Sequence, residues 1–173
     1  MADPPILTPA EVERRVRAYL RAKDSPTRQQ WRELGPRGMR LLYTLAVTSG
    51  EDDGEHRLRA QALATLGQLG GSVGIQPLVD AITEEGVPVV VRCGAIEGLG
   101  HVATARAVPV LQSQAYFPDF KVRLYAVSAL ASIATAASRR ILEDVALRDP
   151  HSQVKRSAQV ELNRMDTKSE DES

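Results

Sequence analysis

Cys93 is the only thiol in the sequence, and the histidines are His56, His101 and His151. A thiol becomes a nucleophile, or an attachment point for a chromophore, when a nearby histidine or helix end lowers its pKa. No histidine stands at a helical offset from Cys93 that would do this. One cysteine and three scattered histidines give no zinc spacing either, so neither metal nor cofactor is expected. A more regular signal comes from arginine: Arg59, Arg92 and Arg123 each follow Leu or Val. A guanidinium at a fixed place has two uses. It pairs with acids and carbonyls inside the fold, or it takes anions from outside. Internal pairing is the expectation, because a residue recurring at one place in a repeat serves the repeat.

Those arginines sit in segments that align without gaps. Leu58-Arg-x-x-Ala62-x-x-x-Leu66-Gly67 is followed after 33 residues by Val91-Arg-x-x-Ala95-x-x-x-Leu99-Gly100. Val122-Arg-x-x-Ala126-x-x-x-Leu130 comes 31 further on, and a weaker copy opens at Val154-Lys155 with Ala158 and Leu162. Residues 91, 95, 99 and 102 fall on one side of a helix, so the pattern predicts an amphipathic helix whose central alanine lets a neighbour approach closely. Ala62, Ala95 and Ala126 are therefore expected at buried helix crossings. Each segment is followed by a second short apolar helix, around 76–82, 108–114 and 139–145, with Pro77 and Pro109 at helix starts. Turn-formers separate the units. One such hairpin cannot bury its apolar face alone, but a stack can. In the place of Cys93 the other copies carry Ala60, Leu124 and Arg156, so this position is not built around a thiol.

The Val/Leu-Arg-x-x-Ala-x-x-x-Leu-Gly segments with their Pro-initiated second helices resemble HEAT repeats, most closely in length the short phycobilisome-lyase type. The resemblance implies an all-α, right-handed solenoid of antiparallel helix pairs. It also implies an Asp in each inter-repeat turn to accompany the arginine. Asp53, Asp119 and Asp149 can fill that place, whereas Gly86 precedes Val91-Arg92 and predicts a break in the ladder at that step.

The ends differ from the middle. Thr8-Pro9-Ala10-Glu11 reads as a capped helix start, with Val12, Val16, Tyr19 and Leu20 on one side and Arg14, Arg17 and Arg21 on the other. Residues 9–48 are expected to be an atypical capping repeat, residues 56–165 regular repeats, all in one domain. Residues 1–8 are expected to be flexible and 166–173 a disordered acidic tail. The chain has 22 Lys+Arg and 22 Asp+Glu, which argues against a protein devoted to coating nucleic acid or an anionic membrane. No apolar run approaches the roughly 18 residues of a membrane span, and the first residues lack a signal-peptide pattern. A cytoplasmic location follows as the expectation.

The function expected is non-catalytic: a scaffold or adaptor that presents a concave helical surface to another protein, as a monomer or with weak self-association. Its candidate contact residues are the polar ridge of the second helices, Gln76, Asp80, Val108, Gln112, Arg139 and Glu143, which differs from unit to unit. Beside it lies an aromatic turn, Tyr116, Phe117 and Phe120, which either packs under its neighbours or meets a partner. Arg14, Arg17 and Arg21 form a candidate face for an acidic partner, or a solvated helix side. Two other functions stay open: lyase-like handling of a tetrapyrrole, which the resemblance permits but no nucleophile supports, and nucleic-acid binding. The helix at 75–84 carries Asp80 and Glu84 and no basic residue, which counts against the last.

Overall fold

The computed structural model describes residues 7–23, 25–70 and 74–171, which form α-helices and no strand. In chain order these are α1 (Pro9–Arg21), α2 (Arg28–Glu33), α3 (Gly35–Val47), α4 (Asp53–Gly70), α5 (Ile75–Thr83), α6 (Val89–Val102), α7 (Val108–Ala115), α8 (Phe120–Ile133), α9 (Ala136–Arg148) and α10 (Ser152–Asp171). The expected pairs are present as α4–α5, α6–α7 and α8–α9, with α10 closing the stack and α1 to α3 forming the irregular first unit.

Local chemistry sets the boundaries. The Thr8 hydroxyl accepts a hydrogen bond from the Glu11 amide, with Pro9 at the first helical position. Thr27 with Gln30 and Thr135 with Ser138 form reciprocal capping boxes. Asp119 caps α8 by accepting from the Lys121 amide at 2.7 Å. Gly35, at φ 62°, turns the chain between α2 and α3, and Pro36 follows it into the new helix. Ala103 and Ala134, both left-handed, end α6 and α8 at matching places in successive units.

One apolar core runs through every unit. Ala62, Ala95 and Ala126 are wholly buried, as their place in the pattern predicts. The closest crossing, α4 against α6, is made by glycines that the alanine pattern did not single out. A Cβ placed on Gly67 or Gly94 would lie within 3.0 Å of the Gly98 or Ala60 carbonyl oxygen, and one on Gly98 would meet the Leu63 oxygen at 2.7 Å. Backbone lies on backbone there. The first helices α4, α6, α8 and α10 pack on one another in sequence, while α5 and α7 make little or no contact.

Two expectations about the ends are corrected. α10 does not stop at Met165 but continues through Asp171, and Arg139 of α9 holds Asp166 at 2.5 Å. At the other end Leu7 packs against the core and Thr8 is a helix cap, while residues 1–6 of the expected flexible segment lie outside the described residues.

Candidate functional site

Each arginine of the repeat pattern stitches two units together. Arg59 is buried; its Nε donates to the Ala46 carbonyl near the end of α3, and its Nη2 donates to Glu84 Oε2 at 2.6 Å where α5 ends. Arg123 grips Asp149, at the end of α9, through two hydrogen bonds, and gives Nη1 to the Phe117 and Pro118 carbonyls. Lys155 of the last copy donates to the Leu147 carbonyl. Basic groups at the carboxyl ends of helices satisfy carbonyls that have no partner in their own helix. Internal pairing is thus the use made of these arginines, but the acids are not all the expected ones. Glu84, not Asp53, pairs with Arg59, because the guanidinium reaches the end of its own second helix rather than the preceding turn. Asp119 serves as a helix cap. At Arg92 the Nη1 donates to the Ile82 carbonyl and to Gln114 Oε1 at the end of its own second helix, so the partner there is set by Gln114 and not by Gly86 in the preceding turn, and the Phe117 ring covers the guanidinium 4.5 Å from the centroid.

The second-helix ridge has a different character from the one expected. Val108 is only 7% exposed and belongs to the core, since its position at the start of α7 turns it toward the first-helix layer. Gln76 donates to Asp80 at 2.7 Å. Arg139 is taken up by Glu143 and Asp166. Gln112 is exposed. Most of the ridge's polar groups are engaged with each other.

The aromatic turn divides. Phe117 packs against the core beneath Arg92. Phe120 also packs inward, its ring stacked on His151 at 4.2 Å. Tyr116 alone remains on the surface, 52% exposed, donating its hydroxyl to Asp144 Oδ2 at 2.8 Å. At the amino-terminal end Arg14 pairs with Glu11 and Arg17 with Glu13 along α1, while Arg21 is exposed.

A groove that the sequence reading did not anticipate crosses the layer of first helices. One hollow, about 370 Å³, lies between α6 and α8 over Glu97, Gly100, Tyr125, Ser128 and Ser132. A second, about 310 Å³, continues over α4 and α6, walled by Pro26 and Trp31 of the first unit. Glu97 and Tyr125 border both. Val90 and Tyr125 stand 40% and 42% exposed there. Partial burial, and then the nearby Glu97 charge, raise the Tyr125 pKa. Cys93 lies in the wall of the second hollow but is buried, and burial pushes its thiol up to about 11. Burial thus disfavours the thiolate, the reactive form.

Comparison with known families matches residues 84–163 to HEAT repeats. Over those residues the chain is similar to HEAT repeats. The match falls on α6 to α10, where the arginine pattern and hairpin spacing are most regular, and it does not single out the phycobilisome-lyase variety. A crystal structure of an engineered protein has the same fold, at 18% identity and a TM-score of 0.59, covering 92% of this chain and 85% of the other. That coverage brings the irregular first unit into the solenoid. No curated protein matches the chain. HEAT repeats in general serve as scaffolds for protein interaction. Among the described residues no helix is long and apolar enough to cross a membrane.

Proposed function

We propose that this chain is a non-catalytic interaction scaffold of the cytoplasm that receives a segment of another protein in the groove across α4, α6 and α8. The observation that supports this is the meeting of the two hollows at Glu97 and Tyr125. A continuous trough results, with exposed Val90 and Tyr125 as apolar contacts and Gln61, Glu97 and Ser128 as polar ones. Aromatic side chains at the centre of a contact carry a large share of binding energy, and the closely packed helices beneath form a rigid floor that loses little entropy on binding.

The test is a photo-crosslinker placed at Ser128 in the groove and, separately, at Gln112 on the ridge. The expected result is a partner captured from Ser128 and lost when Tyr125→Ala is introduced, with the melting temperature of that variant within error of the parent. Capture from Gln112 alone, insensitive to Tyr125→Ala, transfers recognition to the second-helix ridge and overturns the proposal.

A further inference from the structure

The frame of the solenoid is built from residues that recur, and the surface of the groove is not. In the alignment that sets Arg59, Arg92 and Arg123 together, Glu97 falls opposite Ala64 and Ser128, and Tyr125 falls opposite Gln61 and Gly94. Glu97 is the only acid of α4, α6 and α8 beyond the opening turn of α4. The stacking of helices calls for neither side chain, yet both stand in the groove, Glu97 47% exposed and Tyr125 42%.

The charges there are unevenly placed. Among the described residues the one ion-pair partner of Glu97 is His101, which is charged only when protonated. Its Nε2 stands 3.8 Å from Glu97 Oε1, beyond hydrogen-bonding distance. Further along the same layer Glu161 and Asp166 are held by Arg164 and Arg139. The hollow between α6 and α8 is lined by the Glu97 carboxylate with Tyr125, Ser128 and Ser132, and no lysine or arginine borders it. The second hollow differs, because Arg57 stands in its wall. A cation entering the groove is opposed near Arg57 and attracted at Glu97, which directs it to the first hollow.

A guanidinium suits this hollow better than an ammonium. Its donors lie in one plane and match the two oxygens of a carboxylate. The hydroxyls of Ser128 and Tyr125 make no hydrogen bond among the described residues and are free to accept. A guanidinium is also weakly hydrated and stacks on aromatic rings. We propose that the hollow between α6 and α8 is the pocket for one arginine side chain of the partner segment, held by the Glu97 carboxylate beside the Tyr125 ring. This rests on the groove reading for the segment itself and adds what that segment carries.

The probes are Nα-acetyl-arginine amide, its uncharged isostere Nα-acetyl-citrulline amide, and Nα-acetyl-lysine amide. Each is titrated into the full-length protein at equal ionic strength while backbone amide resonances are followed. The arginine probe is expected to shift Gly100, Tyr125, Ser128 and Ser132 saturably, with no saturable shift from citrulline and a weaker response to lysine. Glu97→Gln is expected to weaken the arginine response about tenfold or more and to leave the melting temperature within error, since the side chain is exposed. Silence toward arginine, an equal response to citrulline, or a response unchanged in Glu97→Gln overturns the pocket. An equal response to lysine overturns the choice of a guanidinium. The crosslinker at Ser128 separates this proposal from the groove reading. Capture from Ser128 that is undiminished in Glu97→Gln leaves the groove standing and removes the arginine pocket. An arginine response with no capture from Ser128 keeps the pocket and removes the groove as the seat of a protein segment.

Discussion

Arg123 and Asp149 are both buried and meet through two hydrogen bonds, Nε to Oδ2 at 2.7 Å and Nη2 to Oδ1 at 3.1 Å. Asp149 Oδ1 also accepts from the His151 amide at 2.8 Å and so helps to start α10. One carboxylate thus fastens the end of α9, the interior of α8 and the entrance to α10. Asp149→Ala leaves a buried guanidinium without its counter-charge and is expected to destabilise the fold by about 3–5 kcal/mol, measured by chemical denaturation. A loss below about 1 kcal/mol would show that the pair is incidental to stability.

The Arg59–Glu84 pair predicts a dependence on pH. Its hydrogen bond to Arg59 is the main cause that holds the Glu84 carboxyl below the ordinary value of 4.5. A group with a depressed folded pKa stabilises the folded state fully above its unfolded pKa, and that contribution fades as pH falls toward the folded value. The parent is therefore expected to melt above Glu84→Gln at neutral pH, with the gap closing as pH is lowered below about 4.5. Melting temperatures of both proteins across that range check it. A gap of constant size down to strongly acid pH would mean that charge is not what Glu84 contributes.

Glycine at the α4–α6 crossing is required for space. Gly94→Ala brings a Cβ within 3.0 Å of the Ala60 carbonyl oxygen, which is backbone and cannot swing away. Alanine is the better helix former by about 1 kcal/mol, but overpacking at a fixed contact costs about 1–3 kcal/mol or more. The net effect expected is a lower melting temperature. A rise would show that the helices separate without loss and that the crossing is looser than its geometry indicates.

Cys93 is expected to resist thiol reagents in the folded protein. Its pKa near 11, against an ordinary value of 9.0, lowers the thiolate fraction at neutral pH by about 100-fold, and burial slows access further. Labelling kinetics in buffer and in denaturant measure the difference. Rapid modification of the native protein would reopen a chemical role for this residue.

How much of this was legible in the sequence depends on the reach of each feature. The Val-Arg-x-x-Ala-x-x-x-Leu spacing is local, and it located α6 and α8 and the burial of Ala95 and Ala126. Gly94 and Gly98 also share one helix face and were visible as a four-residue spacing of small residues, yet their role shows only when Ala60 and Leu63 are laid against them. The acid for Arg59 was not legible, because it depends on where α5 ends, 25 residues on. The groove was missed for a related reason. Its shape is set by how α4, α6 and α8 pack on one another and on the first unit, a tertiary quantity that no single helix pattern contains.

The ladder also has a consequence for the order of events on the ribosome. Arg59 meets its acid 25 residues further along the chain, and Arg123 meets Asp149 26 residues on. At about 5–20 residues per second, an emerging α4 waits roughly 1–5 s before Glu84 is available to fasten it. Each helix pair is thus latched from behind, by the last residues of its own unit, and the nascent solenoid closes one clasp at a time in the direction of synthesis.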